Sequence, residues 1–332
     1  KFIRFILKSI ENATISLFKG GEINRIFANL VINRCKKFSF SLQRVKSLTS
    51  DLFYSTIISS FIFFTILLMK ESVIAMNTPI NHLTAGFIGL GLIGGSIARG
   101  LKRSAPDIQI MAYMRTREKL EQAHADGIVD LILDGVDEHL SECDIIFLCT
   151  PVEFNESYLR QIRPFLKEGA VVTDVGSTKT SIHETVAALG MESCFVGGHP
   201  MAGSEKTGYE SSTDHLLENA YYIITPTPHT PASYTDRMVD VANAIGALPL
   251  VLDYHRHDFI VAAISHLPHL IASSLVNLVH DCDSEDQMMK RLAAGGFKDI
   301  TRIASSSPVM WEQICMTNRK NISRILTDYI AS

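Results

Sequence analysis

From residue 84 onward, apolar and polar positions follow two alternating rhythms. Residues 84–88 (Thr-Ala-Gly-Phe-Ile) form a short apolar run of strand length, and 109–113, 144–149, 170–175, 195–198 and 221–225 repeat it. Between them, 97–103, 117–125, 180–189 and 233–245 carry apolar residues at helical spacing. Short apolar runs bounded by turn residues read as strands, and runs of about ten with a three-to-four repeat read as helices. Strands alternating with helices imply βαβ units and a mostly parallel sheet. The strand rhythm stops at Tyr254. Residues 257–279 predict one long, mostly apolar helix, and 284–292 and 308–329 predict further helical stretches. The expected fold class is α/β over 76–252, followed by an all-helical domain over 253–332.

The first 75 residues do not share this pattern. They hold eleven Lys and Arg against four Asp and Glu, a charge of +7, while the rest of the chain carries −11. Ten of the 17 Phe lie there, and no Pro. The chain begins with Lys1, whereas Met76 is followed by a polar run and then by the first clean strand. The preferred expectation is that the native protein starts at Met76 and that 1–75 is an atypical basic and apolar head outside it. The alternative is a membrane anchor at 52–69, a nearly apolar run at the short end of the roughly 17–25 residues that span a bilayer. Lys36, Lys37, Arg44 and Lys46 precede it and would stay on the cytoplasmic side. That would turn the α/β part outward, which suits neither its cysteines nor a soluble cofactor. A signal peptide fits poorly, because the apolar run lies too far from the N-terminus.

Composition narrows the classes further. With 332 residues, 46% hydrophobic and 20% charged, the chain is neither disordered nor collagen-like. At roughly 100–200 residues per domain it has room for two or three. A net charge of −4 argues against a nucleic-acid partner. The six cysteines (Cys35, Cys143, Cys149, Cys194, Cys282, Cys315) form no CxxC pair, so the expectation is a reducing, cytoplasmic setting without a zinc site.

The first chemical motif is a glycine loop. Gly89, Gly91 and Gly94 form GxGxxG between a strand and a helix, with Leu92 and Ile93 inside it, as a dinucleotide-binding fingerprint requires. Gly89 allows the tight turn, Gly91 lets the backbone approach a pyrophosphate, and Gly94 lets helix pack on strand. The helix N-terminus supplies N–H groups and partial positive charge to the anion. A plain glycine-rich turn is the bland alternative. Thr150 and Pro151, after Cys149, close the third clear strand on the side expected for the nicotinamide. After the second strand the chain reads Tyr113-Met114-Arg115-Thr116-Arg117, with no acid to bond a ribose 2′-hydroxyl. Arg115 and Thr116 suit a 2′-phosphate instead, unless Arg115 is merely a solvated loop charge. The cofactor expected is NAD or NADP, with a tilt toward NADP or dual use.

The second group is built from histidines and one arginine. His199 sits among glycines and a proline at a strand end (Gly197-Gly-His-Pro-Met-Ala-Gly-Ser-Glu205), a place from which a base reaches into a cleft. Ser177 ends another strand at the same sheet edge, as a catalytic hydroxyl, as the N-cap of the next helix, or as both. His266 and His269 share a helix face at i and i+3. Pro268 beside them should kink the helix and free backbone carbonyls, which marks a site more than a packing seam. A zinc pair is discounted, since no HExxH accompanies it. Arg302 follows a glycine-rich approach and is placed to hold a carboxylate, or else to pair with Asp299.

Four segments in order, GFIGLGLIGGS, TDVGSTK, GGHPMAGSEKTG, and SHLPH followed by GGFKDITRIASSSPVMW, resemble the prephenate/arogenate dehydrogenase family of tyrosine biosynthesis. The resemblance runs from about Thr84 to Tyr329. It implies a Rossmann dinucleotide-binding domain followed by a helical domain that forms a homodimer. It implies oxidative decarboxylation of prephenate to 4-hydroxyphenylpyruvate with NAD(P)+, with arogenate as the nearest alternative substrate. By the same resemblance His199 matches the catalytic base and Ser177 the hydroxyl beside it. His269 and Arg302 match substrate-binding residues, Arg302 as a carboxylate clamp, and Ser265, Glu205 and Trp311 match positions lining the pocket. The chain departs from the pattern at Met114, where NAD-dependent members often carry Asp. The form expected has neither an ACT nor a chorismate mutase domain. Two rivals stand beside this reading. A β-hydroxyacid dehydrogenase shares the glycine loop but needs a catalytic lysine on the helical domain, and no lysine lies between Tyr254 and Asp281. A dinucleotide-sensing or membrane-tethered regulatory protein is favoured only if 1–75 is genuine.

Overall fold

In the computed structural model of the protein, residues 80–332 are described, apart from Glu205 and the side chain of Asn81. The head at 1–75, its apolar run, Met76 and Glu205 therefore lie outside the described residues.

Five parallel strands form, β1 (Thr84–Ile88), β2 (Gln109–Tyr113), β3 (Leu131–Ile132), β4 (Ile145–Leu148) and β5 (Val171–Asp174), in the order β3-β2-β1-β4-β5, and all but the two-residue β3 fall within the expected apolar runs. Successive side chains point to opposite faces of a strand, and here both faces are covered. Phe87, Ile110 and Phe147 pack on one side with Ile97 and Leu101 of α1 (Leu92–Ser104). Ile88, Ile146 and Leu148 pack on the other with Leu159 of α3 (Asn155–Ile162) and with Ile182 and Val186 of α4 (Thr180–Ala188). That two-sided burial is why these strands read as near-continuous apolar runs. The helix α2 (Arg117–Ala125) connects β2 to β3.

A second group, β6 (Val196–Pro200), β7 (Tyr221–Pro226) and β8 (Leu248–Val251), extends the layer, with β6 antiparallel to β7 and β7 parallel to β8. A parallel bridge from Val172 to Phe195 sets β6 beside β5, running the same way. The α/β part closes with α5 (Ala232–Ala244), between β7 and β8. The sheet is thus mostly parallel with one antiparallel pairing.

The remainder is helical. An apolar helix runs from α6 (Tyr254–Val261) through a π-helical turn (Ala262–His266) into α7 (Leu267–Cys282). Pro268 lacks the N–H that would bond to the carbonyl four residues back, and the wider turn just before it absorbs that defect. The 284–292 stretch is helical only at α8 (Met288–Leu292), because Gln287 adopts a left-handed conformation (φ 53°) and Asp283 accepts the N–H groups of Met289 and Lys290. Helix α9 (Gly295–Thr301) leads into a 3-10 turn (Arg302–Ala304) that packs on α7. The expected 308–329 helix is two, α10 (Pro308–Thr317) and α11 (Arg319–Ala331), separated at Asn318.

Candidate active site

The glycine loop closes against the end of β4. Gly89 has φ +89°, and a Cβ there would stand 2.7 Å from the carbonyl oxygen of Cys149. A Cβ on Gly94 would stand 2.7 Å from the carbonyl of Gly89, so helix, turn and strand touch backbone to backbone. Gly91 meets nothing within 4 Å. It caps α1, which starts at Leu92 and has no side-chain cap and no acid in its first turn. The unpartnered N–H groups of a helix start therefore face open space, as an anion requires. These residues fit the pyrophosphate of a dinucleotide. Thr150, bonded to Asn155 at 3.2 Å, and Pro151 follow β4 at the same edge. At the end of β2, Arg115 is exposed and its guanidinium lies 5.3 Å from the Phe154 ring centre. Arg117 is engaged elsewhere, by Asp134 and Glu121.

His199 is half-buried on β6 at the same edge of the sheet. The residues before it must be glycine: a Cβ on Gly198 would stand 2.6 Å from the carbonyl of Asp174. The fully buried ammonium of Lys179 pairs with Asp174 and donates to the Gly198 carbonyl at 2.6 Å, which fixes the strand directly ahead of His199. Nδ1 of His199 lies 2.8 Å from Nε2 of His257, whose Nδ1 lies 2.8 Å from Oδ1 of Asp258. Burial, with His257, Lys179 and His266 nearby, holds His199 well below the ordinary imidazole range. The His199 imidazole is therefore neutral near pH 7. Burial alone would raise the Asp258 carboxyl, but His257 and the N–H groups of Lys179 and Thr180, each at 2.8 Å, hold it at about 2. Asp258 thereby does the capping of α4 that sequence offered to Ser177. Ser177 itself lies in the turn after β5, half-buried at the same edge as His199.

The helical domain brings the other predicted residues to this place. His266, in the π turn, is buried and its Nδ1 lies 3.1 Å from Nδ2 of Asn318. The orientation of that amide is fixed twice over, since Nδ2 donates to the Asp258 carbonyl at 2.7 Å and Oδ1 accepts from Asn321 at 2.8 Å. His266 must accept at Nδ1, so its neutral ring carries the proton on Nε2. Burial lowers it to about 4. His269 stacks on Trp311 at 3.6 Å, and Trp311 meets His266 edge-on at 6.0 Å. The buried Nε1 of Trp311 has no hydrogen-bond partner among the described residues, a cost that a polar ligand would remove. Ser265 is half-buried in the same π turn, and Arg302 begins the exposed turn packed on α7.

Two groups of predicted residues thus stay apart and face one edge. At about 4.8 Å per strand, β1 and β6 are separated by roughly 14 Å, while Arg115 on the far side of β1 belongs to the loop group alone. The residues that join His199 to the helical domain, His257, Asp258 and Asn318, carry no motif. Their partners lie far off in sequence, and no local spacing announces them.

Comparisons with known proteins place the chain in a family. A family model described as "Prephenate dehydrogenase, nucleotide-binding domain" matches residues 97–250, and one described as "Prephenate dehydrogenase, dimerization domain" matches 253–332. The prephenate dehydrogenase of Lactococcus lactis is 40% identical over 235 residues, which cover 70% of this chain and 64% of that protein. The chain thus spans less than two thirds of that relative's length. The cyclohexadienyl dehydrogenase of Zymomonas mobilis is 32% identical, over 76% of this chain and 86% of its own. Among solved structures, the prephenate dehydrogenase of A. aeolicus, in complex with hydroxyphenyl propionate and NAD+, superposes with a TM-score of 0.70 at 31% identity, covering 75% of this chain and 87% of that one.

Proposed function

The chain belongs to the prephenate dehydrogenase family, and from that premise we propose that it oxidises and decarboxylates prephenate to 4-hydroxyphenylpyruvate with NAD(P)+. Prephenate offers a C4 hydroxyl, a ring carboxylate and a side-chain carboxylate. His199 takes the hydroxyl proton, a task that suits a neutral imidazole, and Ser177 holds the same oxygen from the end of β5. Arg302 clamps a carboxylate with its planar fork. His269, Ser265 and Trp311 line the ring's site. A bound nicotinamide would supply the hydride acceptor for C4. Loss of carbon dioxide from C1 makes the ring aromatic, so the reaction runs strongly downhill. The protein's principal task is alignment, where orientation contributes most. The observation that carries this reading is a neutral histidine at the carboxyl edge, between an open pyrophosphate cradle and an aromatic cluster of the helical domain.

Use of NADP, alone or beside NAD, is supported by the exposed Arg115 over Phe154 and by the lack of any acid in 113–116. A homodimer through the helical domain is supported by its exposed apolar residues, among them Ile264, Leu278, Leu292, Ile300, Val309 and Met316. Arogenate, which carries an amino group in place of the side-chain keto group, is the alternative substrate. A four-way assay, prephenate or arogenate with NAD+ or NADP+, tests the reading. The expected result is turnover of prephenate, with NADP+ accepted at least as well as NAD+. Turnover of neither substrate would overturn the reading.

A further inference from the structure

Two residues stand behind His199 that no motif marks out. His257 is wholly buried at the start of α6 and touches Nδ1 of His199 with one ring nitrogen and Asp258 with the other. A carboxylate only accepts hydrogen bonds. Asp258 is kept in that form by three donors, the His257 ring and the N–H groups of Lys179 and Thr180 at the start of α4. The proton between His257 and Asp258 therefore sits on Nδ1 of His257. A neutral His257 then has only a lone pair at Nε2, so the next proton along sits on Nδ1 of His199. Nε2 of His199 is left as a lone pair.

An imidazolium at His257 would reverse the second bond and place a proton on the working nitrogen. Asp258 is also met by the first turn of α4 and lies near the Lys179 ammonium, which acts on both Asp258 and His199. The remaining titratable neighbour of His199, His266, is itself a buried neutral ring.

This inference rests on the reading of His199 as the base: we propose that His257 and Asp258 are positioning residues that lock His199 in its Nδ1–H tautomer and present the Nε2 lone pair to the substrate hydroxyl. An unrestrained imidazole favours the opposite tautomer, which would offer that hydroxyl a donor. The pair has a second effect. When Nε2 takes the proton, the positive charge on His199 is stabilised through His257 by the Asp258 carboxylate. Asp258 does not take the proton, because its backbone donors keep it ionised, so the logic is that of a Ser-His-Asp chain with a second imidazole inserted.

The test uses the full chain and two readouts. In 15N-edited NMR of histidine-labelled protein, His199 should show the Nδ1–H tautomer in the wild type and shift to the Nε2–H form in His257→Phe. In steady-state assays with prephenate, His257→Phe should lower kcat by about tenfold or more with KM changed less than about threefold. His257→Gln, whose side-chain oxygen can accept from Nδ1–H, should recover part of that loss and also serves if the Phe variant does not fold. A wild-type Nε2–H tautomer, or a kcat loss below about tenfold in His257→Phe, would overturn the proposal. If the wild type fails to turn over prephenate, the functional reading falls, while the wild-type tautomer still decides the arrangement of the two histidines.

Discussion

At the scale of single residues, the proposed reaction divides labour between a group that would move a proton and groups that would hold charge. His199 owes its basic form to burial and to its cationic and imidazole neighbours. Replacing it with Asn keeps a polar side chain and removes the base. His199→Asn should therefore lower kcat by roughly 10²-fold or more, while KM shifts by less than about threefold. A kcat within about threefold of wild type would remove His199 from the role. As the proposed carboxylate clamp, Arg302 would act on both ground and transition states, so Arg302→Ala should raise KM by roughly tenfold with kcat little changed. Arg302→Lys should recover only part of the loss, since an ammonium lacks the planar fork. An unchanged KM in both variants would leave Arg302 a surface residue.

At the scale of elements, the glycine loop separates folding from binding. Gly94 is packed against backbone, so Gly94→Ala should cost about 1–3 kcal/mol of stability. Gly91 faces open space, so Gly91→Ala should stay within about 0.5 kcal/mol of wild type yet weaken cofactor binding, because the new methyl enters the cradle. Thermal melts and cofactor KM values measured side by side check both halves. A destabilised Gly91→Ala would refute the open cradle. The same element shows what sequence makes legible. Strands β1 and β2 and helix α2 appear with their observed bounds, because burial on both faces writes unbroken apolar runs. Strand β8 escapes notice because Pro249 argues against a strand, yet β8 is an edge strand, where a missing N–H is tolerated. Helix α3 is largely polar, with Leu159 and Ile162 as its buried apolar anchors, and α9 opens on two glycines. His199 was legible from its glycines. His257, Asp258 and Asn318 were not, because their roles arise from partners 52–79 residues away.

At the scale of the whole molecule, burying neutral imidazoles makes the fold acid-sensitive. Burial, with the Lys179 ammonium, pushes His183 down to about 3, and burial pushes His266 to about 4. The unfolded chain protonates both near pH 6.5, so their stabilising effect is complete above that pH and is lost as pH falls toward the folded values. Between pH 7.5 and pH 5.0 each should cost about 2 kcal/mol. A urea midpoint unchanged over that interval would contradict the buried, neutral state of both rings. One further consequence follows from Asp258, whose carboxylate ties the first turn of α4 to α6. It is at once the rivet between the nucleotide half and the helical half and the anchor of the base's own wiring. Opening along that seam would break both sets of contacts at once, so the join between the halves and the histidine pair hold or fail together.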